Sequence, residues 1–246
     1  MKNQILNEYN QSENINADDL KEKYNRKECF NRSKTMTAKQ LFSELNQHLC
    51  LDSRPSKNIN QLLANGIFDK PPLLLLKKLK DTPQSPIHHP EGCVWNHVCL
   101  VVDQAAQVRH LSHKPTAFMW AALLHDIGKS ETTSMRKGRI VSYNHDTVGM
   151  DICVEILSLM TDNQEFICQV SKLVKYHMHP LYVNNNLPFG DVKGMKAETD
   201  IYEVALLGYC DRMGRTGSNC EDVKADIKEF LIKCGVSNQE ARRIIW

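Results

Sequence analysis

No stretch of this 246-residue sequence is apolar for long enough to cross a bilayer. The longest such run, residues 117–124, falls far short of the roughly 20 residues a spanning helix needs, so no membrane partner is expected. Residues 1–12 are polar and lack the apolar centre of a secretory leader, which points to a cytoplasmic location. Charge of one sign is also missing. Thirty-one basic against 29 acidic residues leave a net charge of +2, so there is no global electrostatic case for nucleic acid, although local patches remain open. None of the nine cysteines forms a Cys-x-x-Cys pair, and the count is odd. That argues against a disulfide framework and against a thiolate zinc knuckle, and leaves reduced, mostly buried cysteines. No period-two strand run, internal repeat or low-complexity tract is present.

What is there is helical periodicity. Residues 1–36 are rich in Asn, Lys, Glu and Asp and contain no Val, which predicts a loosely packed lead-in with one short helix at 17–24. From Thr37, a plausible N-cap, Leu41, Phe42, Leu45 and Leu49 recur at helical spacing. Further helices are expected at 58–65 and 71–80, followed by a Pro-rich connector over 81–90. Val94, Val98, Val101, Val102, Ala105 and Val108 mark the next helix. Residues 116–126 are apolar on nearly every side and describe a central buried helix. Gly128 is expected to end it in the left-handed conformation. A polar, basic loop over 131–143 precedes a helix from His145 to Met160. Another helix carries Phe166, Ile167, Val170, Leu173 and Val174. A loop at 184–196, a helix through Ile201, Val204, Ala205 and Gly208, and two closing helices complete an all-α reading. The expected organisation is a lead-in (1–36), an N-terminal helical extension (37–90), a core (91–216) and C-terminal helices (217–246).

The chemistry begins at Ala122-Leu123-Leu124-His125-Asp126-Ile127-Gly128-Lys129, where an apolar helix runs directly into an imidazole and a carboxylate. Both are costly to bury without compensation, and a metal ion is one effective compensation. His97 lies one helical step from Val94 and Val101 and so shares their buried face. His177 and Asp211 continue the apolar faces of their own helices in the same way. One buried histidine is most simply a hydrogen-bonded core residue. Several on inward faces, with two aspartates, need mutual satisfaction, which a metal site supplies. Neutral imidazole and carboxylate suit Zn, Mn, Fe, Co or Ni, and the absence of thiolates leaves such an ion Lewis acidic.

Taken in order, His97, His125-Asp126 and Asp211 resemble the His…His-Asp…Asp signature of the HD superfamily of metal-dependent phosphohydrolases. His89-Pro90-Glu91-Gly92-Cys93-Val94-Trp95-Asn96-His97, residues 121–129 and Asp211-Arg212-Met213-Gly214-Arg215 are similar to the HD domain appended to certain bacterial CCA-adding tRNA nucleotidyltransferases. The likeness covers about residues 88–216. The Gly-Ser motif and Asp-x-Asp pair of that family's nucleotidyltransferase head have no counterpart, so transfer of CCA is not expected. What remains resembles a stand-alone HD hydrolase with a helical N-terminal extension.

The resemblance implies an HD-domain helical bundle with one divalent metal on His97, His125, Asp126 and Asp211. It further implies a second metal bridged by Asp126 and bound by His145 and His177, which match those positions in order. The implied activity is hydrolysis of a nucleotide or RNA phosphoester, 2′,3′-cyclic phosphates included. Asp126 would orient the nucleophile, and Lys129 would neutralise phosphate charge or help the leaving oxygen. Lys129 has a plain alternative as an exposed helix-end lysine favouring the dipole. Arg212 and Arg215 are candidates to grip phosphate, against structural salt bridges. His179 lies about 200° around the helix from His177 and is expected to face substrate. His88 and His89 are expected at the surface or substrate rim, and His48, His110 and His113 in solvent. Trp95, Trp120, Cys99 and Cys210 read as packing residues, and the Arg136–Arg139 segment as a solvated turn or a basic lip over substrate. Two other classes stay open: a non-catalytic nucleotide- or RNA-binding module with a structural metal, and a di-iron oxygenase.

Overall fold

Thr37 opens the first helix of the computed structural model, which describes residues 36–244. The lead-in helix expected at 17–24 lies outside the described residues. The backbone N–H of Gln40 donates to Thr37 Oγ1 at 3.3 Å and that of Thr37 donates to Gln40 Oε1 at 2.9 Å, a capping box that satisfies two helix-end donors. This helix, α1 (Ala38–Leu51), buries Leu41, Leu45 and Leu49. Helix α2 (Pro55–Ala64) starts on a proline, whose fixed φ and missing N–H cost nothing in the first turn. The next helix, α3 (Leu74–Lys78), is shorter than the span expected over 71–80. Pro72 disfavours helical backbone at Pro71 before it, so the helix cannot start as early as expected.

Helix α4 (Val94–Val108) carries His97 among buried Val94, Val98 and Val101. Helix α5 (Pro115–Leu124) is buried on every side from Ala117 to Leu124. After the one-turn helix α6 (Lys129–Thr132), strands β1 (Thr133–Arg136) and β2 (Arg139–Ser142) pair antiparallel, Thr133 opposite Ser142 and Arg136 opposite Arg139. This hairpin replaces the loop expected over 131–143. Its two turn residues, Lys137 and Gly138, have φ of 49° and 75°, which suits a tight hairpin connection. Its strands are short and largely exposed, so no apolar alternation marks them.

Helices α7 (His145–Met160), α8 (Gln164–Tyr176) and α9 (His179–Asn184) follow. Helix α10 (Val192–Glu198) forms inside the stretch expected as a loop at 184–196, started by Asp191, whose Oδ1 accepts from the Gly194 N–H at 2.9 Å. Helices α11 (Ile201–Met213), α12 (Cys220–Lys233) and α13 (Asn238–Ile244) complete an all-α bundle, with one two-stranded hairpin among the described residues.

Helix α5 is the axis on which α1, α4, α8 and α11 pack. Trp120 stacks on Phe42 of α1, centroids 4.9 Å apart, and its indole N–H donates to Asn46 Oδ1 at 3.0 Å. Trp95 of α4 donates in the same way to Asn60 of α2 at 2.8 Å. Both tryptophans are core residues, as expected, and each buried indole N–H has its acceptor. Cys210 is buried, and burial pushes the Cys99 thiol up to about 12. Both serve packing.

Gly128 corrects the expected left-handed helix end. Its φ of −64° and ψ of −19° are ordinary right-handed values. Its role is space. A Cβ there would lie 2.0 Å from the His145 carbonyl oxygen and 2.7 Å from the Gly149 nitrogen, both backbone atoms of α7. The turn after α5 and the start of α7 therefore touch at a point that admits no side chain. Gly128→Ala is expected to lower unfolding stability by about 1–3 kcal/mol through overpacking against backbone. Chemical denaturation checks this, and an unchanged midpoint would contradict the close approach.

Candidate metal centre

Five helices deliver six ionisable side chains to one point. His97 comes from the first half of α4, Asp211 from the last turns of α11, and His145 from the first residue of α7. His125 and Asp126 follow α5 directly, and His177 follows α8. None of the six is more than 7 % exposed.

Asp126 stands in the middle. Its Oδ2 faces His125 Nε2 at 3.4 Å and His97 Nε2 at 4.0 Å, while its Oδ1 faces His145 Nε2 at 3.4 Å and His177 Nε2 at 3.7 Å. Asp211 Oδ1 lies 2.9 Å from His97 Nε2. The donor atoms form two trios, His97–His125–Asp211 and Asp126–His145–His177, each spanning no more than 4.8 Å.

Backbone carbonyls set the imidazole tautomers. Nδ1 of His125, His145 and His177 lies 2.9, 2.8 and 2.6 Å from the carbonyl oxygens of Ala122, Ser142 and Val174. A carbonyl only accepts, so Nδ1 carries the proton and a neutral ring turns the Nε2 lone pair inward. All three Nε2 atoms are buried without a hydrogen-bond partner among the described residues.

The electrostatics divide the histidines. Burial holds His125 below its ordinary value and brings His145 down to about 4, so both are neutral at pH 7. Burial also acts on His97 and His177, but there it is outweighed. Asp211 and Glu91 raise His97, and Asp126 raises His177. Burial alone would raise the Asp126 carboxyl; the Lys129 ammonium and His125 overcome it and hold the group well below the usual range. Arg215 and His97 do the same for buried Asp211.

These donors fit a divalent cation. Lone pairs on the neutral rings of His125 and His145 point at carboxylate oxygens, which are themselves acceptors, and a cation between them satisfies both sides. A nitrogen and oxygen set without thiolate suits Zn, Mn, Fe, Co or Ni.

The remaining predicted residues are distributed as follows. Lys129 is buried, not an exposed helix-end lysine, and its Nζ lies 2.7 Å from Asp126 Oδ2. Arg215 reaches Asp211 Oδ2 at 3.1 Å, and its Nε has no partner among the described residues. Arg212 is held by Asp226 at 2.9 Å, the salt-bridge alternative. All three border a cleft of about 580 Å³ that also reaches His89 and His145. His179 is buried, not displaced to the far side of a continuing helix. The chain breaks after Tyr176 and restarts at His179, so the phase argument from His177 does not apply. The turn at Arg136–Arg139 is exposed, with Arg136 over the Tyr143 ring at 5.3 Å. His110 and His113 are exposed as expected, whereas His48 is half-buried and 2.9 Å from Asp52.

Sequence reasoning missed Glu91 as a partner of both His89 and His97. Glu91 Oε1 lies 2.8 Å from His89 Nδ1 and 3.0 Å from His97 Nδ1, and its side chain is only 3 % exposed. Burial would raise its carboxyl, but the two imidazoles bring it down to about 2. His89, expected at the surface or substrate rim, lines the cleft beside His88 but is itself buried, its ring edge-on to His97 at 4.8 Å. Both lie before Val94, where the chain has no periodicity. The only available signal was a carboxylate two residues after one histidine and six before another.

Residues 94–213 match the HD domain family, and the chain carries an HD domain there. HD domains belong to a superfamily of metal-dependent phosphohydrolases. The chain is also similar to several bacterial proteins, each named Multifunctional CCA protein. With that of Actinobacillus pleuropneumoniae serotype 5b (strain L20) it shares 34% identity over 105 residues, 42% of this chain and 24% of the relative. With that of Verminephrobacter eiseniae (strain EF01-2) the figures are 26% over 189 residues, 74% and 44%. With that of Pseudomonas syringae pv. syringae (strain B728a) they are 30% over 147 residues, 59% and 34%. The aligned region thus spans less than half the length of each of these relatives.

Because His97 and His177 hold protons above the ordinary imidazole range while His125 and His145 do not, metal uptake is expected to displace protons from the first two. Affinity should therefore rise with pH through and above the ordinary imidazole range. Calorimetry in buffers of different ionisation enthalpy measures this, and uptake independent of pH would contradict it.

Proposed function

We propose that this protein is a metal-dependent phosphohydrolase acting on phosphoesters of nucleotides or RNA ends, 2′,3′-cyclic phosphates included. The observation that carries the reading is the pair of inward imidazole lone pairs, on His125 and His145, that meet the Asp126 carboxylate at 3.4 Å with no donor between them. His97, His125, Asp126 and Asp211 would hold one ion, and Asp126, His145 and His177 a second. When bound, a divalent cation supplies Lewis-acid activation of water and of a phosphate oxygen.

The chain's own groups do the rest. The Asp126 carboxylate orients the nucleophile. The Lys129 ammonium, already at its edge, neutralises developing phosphate charge and donates to the leaving oxygen. Arg215 offers the cleft a half-buried guanidinium whose Nε is unused. Arg212 lines the same cleft and can exchange Asp226 for phosphate. His179 faces substrate from an adjoining cleft. Likeness to the Multifunctional CCA proteins supports a nucleotide or RNA substrate.

Purified protein with Mn, Ni or Co is expected to hydrolyse a nucleoside 2′,3′-cyclic phosphate, and His125→Ala to abolish that activity. Lys129→Met should lower kcat by about 10²-fold, the usual cost of one charge-stabilising donor, with metal content retained. Activity persisting in His125→Ala would reject the site. Nucleotide binding without turnover across the metal panel would favour a non-catalytic module.

A further inference from the structure

Beside the cleft that holds Lys129 and Arg215 lies a second, of about 560 Å³, with aromatic walls. The two share Ser142, His145 and Met178, so one ligand can lie across both. In the second cleft the rings form a chain. Tyr176 and His179 are 4.7 Å apart, His179 and Tyr182 5.8 Å, and Tyr182 and Phe189 5.6 Å. Phe189 stands 63 % exposed at the end of this chain.

Two polar side chains in this cleft have hydrogen-bonding capacity left over, one of them entirely. His179 is 5 % exposed, yet neither of its ring nitrogens has a hydrogen-bond partner among the described residues. A buried imidazole with both nitrogens unmatched is costly, and its position in a cleft wall points to a ligand as the missing partner. Asp146, 8 % exposed, accepts from the Thr147 N–H at 2.9 Å through Oδ1, while its Oδ2 receives the Tyr182 hydroxyl only at a long 3.3 Å and keeps acceptor capacity for a ligand. None of these contacts belongs to the six-residue centre.

We propose that this second cleft is a nucleobase pocket that prefers an amino-bearing base, adenine or cytosine, over uracil. The rings are tilted by 57–80° to one another, and the exposed Phe189 at the end of the chain leaves a face on which any base can stack. The edge carries the selection. The Asp146 carboxylate only accepts hydrogen bonds and so takes the exocyclic amine, while a His179 N–H donates to the adjoining ring nitrogen. Uracil turns carbonyl oxygens toward the carboxylate and loses that pairing. The placement of the phosphate rests on the phosphohydrolase reading, but the base pocket does not require turnover.

The test separates the two. The full-length protein is titrated with adenosine, cytidine and uridine 3′-monophosphates, and Phe189→Ala is titrated beside it. Phe189 is exposed, so its removal should leave the thermal midpoint in place. The adenine and cytosine nucleotides are expected to bind about tenfold more tightly than the uracil one, and Phe189→Ala to weaken adenosine 3′-monophosphate about tenfold, in the range of one lost stacking contact. In an active preparation, the ratio of kcat/KM for an adenine nucleotide to that for p-nitrophenyl phosphate should fall in the same variant. That base order without any hydrolysis would support the pocket and reject only the catalytic reading. Equal binding of the three nucleotides, or no effect of Phe189→Ala, would overturn the pocket whatever the hydrolysis shows.

Discussion

A carboxylate buried where several helices meet sets the terms for the rest of this molecule. Asp126 is 2 % exposed, and imidazoles face both of its oxygens. Burying it is tolerable only because positive charge and inward nitrogens surround it. Those nitrogens come from α4, α7, α8 and the residue before it in the chain, so the helices must approach closely and in fixed rotation. Carbonyls of Ala122, Ser142 and Val174 take up the rotational freedom of three of the rings. The arrangement is rigid before any ligand arrives, as a ligating or catalytic constellation requires.

Much of this was legible from residue order because burial and periodicity coincide on helices. His97, His177 and Asp211 interrupt apolar faces, and His125-Asp126 ends a helix with no polar side. Those features survive without knowledge of the fold. What failed to show lay where the chain has no period. Glu91 and His89 lie before Val94, and only the folded chain brings them against His97. The hairpin over 133–142 has four-residue strands with little burial, so alternation had nothing to record. The phase argument used for His179 ran past a break in the helix, so it could not give the side chain's direction. Gly128 was read for its conformational freedom when its value is its small volume.

Overall charge was the least informative quantity. A net charge of +2 conceals a cleft where Lys129, Arg212 and Arg215 gather on one side and acidic ligand candidates lie behind them. Local organisation of this kind costs the chain nothing in net charge, so composition cannot report it. The adjoining aromatic cleft is equally silent in composition, because its rings come from α8, α9 and the loop beyond them.

The packing of α1 on α5 bears on how such a domain can be inherited. The segment shared with the HD family begins at Val94, yet Phe42 and Asn46 cover the Trp120 ring and its N–H from outside that segment. A transplant of residues 94–213 alone would present the side of its central helix to water with an indole donor unmatched. Recombination that moves the metal site to another protein must bring these leading helices with it, or a host surface of the same shape.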